Sequence, residues 1–224
     1  DARRIQMEYL KRGYAFVQVD PPAITFTPDR RSVIVTYHIE EGEQYRIGDI
    51  DFSGDLDFIN EPDEVRKKLA SRSGDFWNFE AIQDDIKTIQ DIYGNEGYAY
   101  VNVSPSWTRT DDTENVLDLN YRIDKGSLTY FGRIEMEGNF ETLDRVIRRE
   151  LEFAEGDLYN VSDFRESKQN LERLGYFSTV KFLQKDYIEE QRMDIDIQVE
   201  EKQTGTLTLG ATFSSFDSFG IQGA

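Results

Sequence analysis

The sequence predicts an α+β protein built as a short row of strand-helix-helix-strand-strand units, and three observations carry that prediction. A glycine-aromatic signature recurs at Gly13-Tyr14-Ala15-Phe16, Gly97-Tyr98-Ala99-Tyr100 and Gly175-Tyr176-Phe177. Each copy stands 29 or 30 residues ahead of a second glycine, Gly42, Gly126 and Gly205, and a spacing held that closely marks one supersecondary unit used repeatedly. Upstream, Phe52-Ser53-Gly54-Asp55 answers Met136-Glu137-Gly138-Asn139 after 84 residues, and Val65 to Leu69 with Gly74-Asp75 answers Ile147 to Leu151 with Gly156-Asp157. The first copy lacks an opening strand and first helix, so the chain is expected to start mid-unit, as an excised piece. The divisions that follow are 1–43 as the C-terminal part of a unit, 44–126 and 127–203 as complete units, and 204–224 as a segment of another character.

Residues 1 to 12 read as the last helix of the partial unit, with Ile5, Tyr9 and Leu10 as its apolar stripe and Gly13 as its stop. Tyr14 to Asp20 alternates Ala15, Val17 and Val19 against Tyr14, Phe16 and Gln18, the period of a strand with two unlike faces. Pro21-Pro22 ends it, and Val33, Val35, Tyr37 and Ile39 supply the second strand of a hairpin.

The second unit opens with a strand from Tyr45 to Phe52, then a short helix begun by Pro62-Asp63-Glu64, where proline and acids suit a first turn. A longer helix places Phe79, Ile82, Ile86, Ile89 and Tyr93 on one face. Tyr98 to Val103 and Val116 to Ile123 repeat the hairpin. In the third unit the same order falls on Leu128–Glu137, Leu143–Leu151, Val161–Leu174, Val180–Phe182 and Met193–Val199. Beyond Thr204-Gly205, Leu207, Leu209, Ala211 and Phe213 alternate with small or polar residues, which is how a transmembrane β-strand reads.

Composition excludes several activities. The 44 acids against 26 Lys and Arg give a net charge of −18, which repels phosphate backbones, so nucleic acid is not an expected partner. With no cysteine and one histidine, His38, there is no thiolate chemistry, no Cys-ligated zinc and a poor inventory for a triad. His38 matches Arg122 by repeat position and reads as a solvated strand residue. The carboxylate pairs Asp111-Asp112, Glu200-Glu201 and Asp194-x-Asp196 read as solvated surface; an acidic hydrolase would need one of them, and no cofactor is expected.

Leu174-Gly175-Tyr176-Phe177, Arg148-Arg149-Glu150-Leu151, Glu155-Gly156 and the run Val199-Glu200-Glu201-Lys202-Gln203-Thr204-Gly205 resemble the POTRA domains of the BamA family of outer-membrane barrel assembly proteins. The resemblance covers the whole chain. It implies units of β-α-α-β-β order, a three-stranded mixed sheet with two helices on one face, and 204–224 as the start of a transmembrane β-barrel. It implies a non-enzymatic scaffold on the periplasmic face of the outer membrane of a Gram-negative bacterium. The implied partners are unfolded outer-membrane proteins, accessory lipoproteins of the assembly complex, and the outer membrane itself through a barrel. Related translocation and secretion transporters share the pattern.

Three sets of residues are candidates for function or architecture. Pro21 and Pro105 each lie eight residues after their glycine, and proline belongs at a sheet edge because it cannot donate to a ladder. This marks Tyr14, Phe16 and Gln18, and Tyr98, Tyr100 and Asn102, as edge-strand residues onto which an extended client would add; the aromatics face either the open side of the sheet or the core. Arg148, Arg149 and Glu150 form a charged cluster that either docks an accessory subunit or is a solvated helix face, as the similar Arg66-Lys67-Lys68 suggests. Gly13, Gly97 and Gly175 stand where a helix ends and are expected to be left-handed.

Overall fold

The computed structural model describes residues 2–110, 114–202, 210–212 and 220–222. They belong to two compact units, Asp1–Thr129 with Tyr159–Val161, and Tyr130–Leu158 with Ser162–Ala224.

In the first unit, α1 (Ala2–Leu10) closes with the Tyr14 N–H donating to Tyr9 O at 3.3 Å around Gly13 at φ +101°. Four short strands follow: β1 (Gln18–Val19), β2 (Ala23–Phe26), β3 (Val33–Thr36) and β4 (Ile39–Glu40). β1 pairs with β4 and β2 with β3, both antiparallel, so Pro21-Pro22 splits one hairpin into two ladders. The strand expected over Tyr14–Asp20 is therefore only two residues long. The segment before it is a tight turn, with Ala15 N–H on Gly13 O and Val17 N–H on Tyr14 O.

Next come β5 (Arg46–Gly54), α2 (Pro62–Lys68), α3 (Phe79–Gly94), β6 (Asn102–Arg109) and β7 (Val116–Asp124). The sheet order is β5-β7-β6, with β5 parallel and β6 antiparallel to β7. Asn78 caps α3 by accepting from the N–H groups of Glu80 and Ala81. Its inner stripe, Ile82, Ile89 and Tyr93, packs with Ile47, Leu117, Leu119 and Ile123 in one buried core. That core also holds a carboxylate. Asp85 is fully buried, accepting from the N–H of Ala70 and Ser71 and from the Tyr121 hydroxyl at 2.6 Å. Burial, then the bond to Asp85, pushes the Tyr121 hydroxyl upward.

The second unit carries β8 (Tyr130–Glu137), α4 (Asp144–Arg148), α5 (Val161–Arg173), β9 (Phe177–Tyr187) and β10 (Arg192–Glu201). The sheet order is β8-β10-β9, again with one parallel and one antiparallel neighbour of the central strand. β9 runs well past the expected Val180–Phe182. Phe131 stacks on Phe153 with centroids 4.0 Å apart, and Phe164 meets Phe182 edge-on at 5.2 Å. Where Asp85 stands in the first unit, this unit has Ser167, also fully buried; its hydroxyl accepts from Glu152 N–H and donates to Asp163 O, both at 2.7 Å. Tyr121 is answered by Ile197, the two facing Phe52 and Met136 across their parallel ladders. Finally β11 (Gly210–Thr212) and β12 (Gly220–Gln222) pair antiparallel; the rest of the alternating segment from Thr206 to Phe213, and Gly205, lie outside the described residues.

Candidate functional site

Each three-stranded sheet has two edges, and the chain treats them differently. Along β5, Ile47 exchanges backbone bonds with the loop after α2, its N–H donating to Asp75 O at 2.8 Å and its carbonyl accepting from Gly74 N–H at 2.7 Å. A register shift between Ile47 and Ile50 then marks a bulge, where the Asp49 N–H donates to the Asp118 carboxylate at 2.8 Å. Just beyond, Arg66 Nε donates to Ile50 O at 2.6 Å. β8 is closed by the same parts: Phe131 with Asp157 and Gly156, Arg133 N–H on Asp194 at 2.8 Å, Arg148 Nη2 on Ile134 O at 3.0 Å, and Ile134 N–H on Glu155 at 3.0 Å. These bonds occupy polar groups an added strand would use over residues 47–50 and 131–134, so the first half of each parallel edge is closed.

The opposite edges, β6 and β9, are the last strands of their sheets. Thr110 N–H donates to Val116 O, and with the register Asn102↔Asp124 to Arg109↔Leu117 this turns the backbone of Ser104, Ser106 and Thr108 toward β7. By alternation Val103, Pro105 and Trp107 point their backbone outward. Pro105 thus sits in mid-strand, facing away from the ladder, and removes one N–H from the open edge. β9 is eleven residues long and has no proline.

The edge residues singled out by sequence divide accordingly. Gln18 and Asn102 are exposed and begin their ladders. Tyr14, Phe16, Tyr98 and Tyr100 are not strand residues. They belong to the helix exits, where Tyr98 N–H reaches back to Tyr93 O at 3.1 Å as Tyr14 does to Tyr9, the bond that closes a helix through a left-handed glycine. Gly97 and Gly175 have φ of +98° and +74°. Tyr98 packs against the core beside Phe58, centroids 5.7 Å apart, Tyr100 is half-buried, Tyr14 meets Tyr9 at 5.4 Å, and Phe16 lies edge-on to Tyr45 at 5.0 Å. The aliphatic phase, Val17, Val101 and Val103, is buried.

On α4, Arg148 is committed to Ile134 O, as Arg66 is to Ile50 O, which gives the recurrence of arginine at this point a structural cause. Arg149 and Glu150 pair with each other at 2.9 Å. Asp194 and Asp196 are not solvated: both are 6% exposed. They project from the helix-free face of the sheet and are covered there by Arg192 at 3.1 Å and Lys185 at 2.6 Å, and Asp196 holds the Lys185 ammonium above its ordinary range. His38 is exposed, 3.8 Å from Glu40. Asp111-Asp112 lies outside the described residues. Among the described residues no three His, Cys, Asp or Glu side chains assemble as a metal site.

Sequence reading missed Gly48 and Gly132. A Cβ on either would lie 2.1 Å from Asp118 Oδ1 or 1.9 Å from Asp194 Oδ1, so the bulge requires both glycines. Extending the repeat alignment back to Gly48-Asp49 and Gly132-Arg133 would have found them.

A family model described as "POTRA: Surface antigen variable number repeat" matches residues 1–42, 45–126 and 129–202. The chain is 32% identical, over its whole length and 28% of the relative's, to the outer membrane protein assembly factor BamA of Nitratidesulfovibrio vulgaris. It is 28% identical, over 94% of its length and 26% of the relative's, to that of Neisseria meningitidis. It is also similar to the crystal structure of Haemophilus influenzae BamA POTRA3-5, with a TM-score of 0.77 and 26% identity over 89% of this chain and 78% of that one. The chain spans between a quarter and a third of the length of these two curated relatives.

Proposed function

The chain belongs to the POTRA family, and from that membership we propose that it works as the periplasmic scaffold of an outer-membrane protein assembly machine, receiving unfolded barrel proteins as extended strands. The observation that carries the reading is the asymmetry of the two sheets: the parallel edge, β5 or β8, is closed over its first half by side chains and loops, and the antiparallel edge, β6 or β9, is left as the terminal strand. An extended client can add there through its backbone whatever its sequence, the tolerance that many different clients demand. Each added backbone bond contributes about 0.5–1.5 kcal/mol net, and the ordering of the client offsets much of this. The resulting affinity is low and the client can be released to a barrel, of which residues 204–224 are proposed to be the start.

The same reading assigns accessory lipoproteins to the end of α4, where Arg149 is exposed and paired with the half-buried Glu150, and the exposed Arg148 is bonded to Ile134 O. Titrating an unfolded outer-membrane strand peptide into the isotope-labelled chain tests the edge mechanism. Amide shifts confined to Gln18–Val19, Asn102–Arg109 and Phe177–Tyr187 are expected; shifts that avoid these and fall on β5 and β8 would sink it.

A further inference from the structure

Phe140 is 94% exposed, more than any other large hydrophobic side chain among the described residues, and Leu143 beside it is 58% exposed. The loop that presents them, between β8 and α4, is tied down. Glu201 accepts from the N–H of Glu141 at 3.0 Å and of Thr142 at 2.7 Å, and Asn139 Nδ2 donates to Thr142 O and to Asp144, both at 2.8 Å. In the matching loop of the other unit Phe58 packs edge-on to Tyr93 at 5.3 Å and Ile59 is 4% exposed, while Leu56, the counterpart of Phe140, is 40% exposed. Phe140 is thus far more exposed than its counterpart, and the loop that holds it outward is fixed by hydrogen bonds.

Glu201 is the last residue of β10, and Thr206, where the membrane-type alternation starts, follows five residues later, at most roughly 17 Å away along an extended chain. We propose that Phe140 and Leu143 form an interfacial anchor that enters the lipid surface beside the point where the chain passes into the bilayer, an inference that rests on the assignment of 204–224 to a barrel. Aromatic side chains favour the headgroup level of a membrane, and apolar contact area sets the strength of such peripheral anchoring. The surrounding carboxylates Glu137, Glu141 and Asp144 are exposed, so the anchor selects zwitterionic lipid and is repelled by anionic headgroups.

Because the sequence contains no cysteine, Phe140→Cys and Leu209→Cys variants of the chain, each carrying an environment-sensitive fluorophore, report their own positions. On phosphatidylcholine vesicles both labels should brighten and be quenched by bromine-bearing lipid, and the Phe140 signal should weaken as phosphatidylglycerol is added. A position-209 label that reports lipid beside a silent position-140 label overturns the anchor and leaves the barrel assignment standing. A position-140 response alone overturns the barrel assignment and with it an anchor beside the point of entry, and silence at both positions removes both. A position-140 label that ignores lipid and responds only to an accessory protein assigns the loop to a protein partner and also overturns the anchor.

Discussion

Gly132 and Asp194 share one space: a Cβ on the glycine would stand 1.9 Å from the carboxylate oxygen that receives the Arg133 N–H. Gly132→Ala should therefore cost about 2 kcal/mol through overpacking, and Asp194→Ala about 1–3 kcal/mol by leaving the Arg133 N–H without its acceptor. The two losses share a cause, so the double variant should fall short of their sum by at least ~1 kcal/mol in a denaturant cycle. Full additivity would show that the glycine and the carboxylate act independently. The pair Gly48 and Asp118 should behave alike.

Gly97→Val should destabilise its unit by more than about 1 kcal/mol, because φ of +98° disfavours any Cβ. At Gly175 nothing lies within 4 Å of the added carbon, so Gly175→Ala should carry the backbone strain alone, about 1–2 kcal/mol. Thermal denaturation of both variants checks the order.

Arg148→Ala and Arg66→Ala should each lower stability by about 1 kcal/mol, since each arginine closes a backbone carbonyl on a sheet edge. Arg149→Glu should leave the melting temperature within the range of an ordinary surface change, about 0.5 kcal/mol, and any loss of an accessory subunit in pull-down would then belong to docking alone.

Tyr93 is pushed up to about 12, first by burial and next by Asp57. A tyrosine that holds its proton more tightly folded than unfolded contributes stability that is complete below the ordinary value and is lost as the pH rises toward the folded one. The first unit should thus weaken between pH 10.0 and about 12, with Tyr121 acting in the same direction. Tyr93→Phe should flatten that dependence while losing the hydroxyl's bond to Asp55 O. An unchanged alkaline slope in urea titrations would dissociate the effect from Tyr93.

The order of helices and strands was legible because the repeat aligned elements that were individually ambiguous. Two misreadings share one origin: alternation reports facing and says nothing of hydrogen bonding. Tyr14 to Val17 and Tyr98 to Val101 alternate like strands, yet the N–H groups of Tyr14 and Tyr98 bond back to the helix before them. Asp194 and Asp196 fall on the polar phase of β10, yet long cationic side chains from β9 and β10 itself cover them. The sealing of β5 and β8 was out of reach of local reading, since it joins Arg66 to Ile50 and Arg148 to Ile134 across intervening loops. Phe140 carried no periodic signal at all, being one aromatic in a connection.

The buried Asp85 also limits how the units could be shuffled. Its carboxylate is met by the Tyr121 hydroxyl, whereas the matching pair in the other unit is Ser167 and Ile197. A recombinant carrying the α3 sequence in place of α5 would bring an acid against an isoleucine, and the reciprocal exchange would leave a tyrosine hydroxyl without its acceptor. Units with one outline are thus incompatible as spare parts unless helix and central strand move together, and a junction chosen in the loop between α3 and β6 would separate what must be inherited jointly.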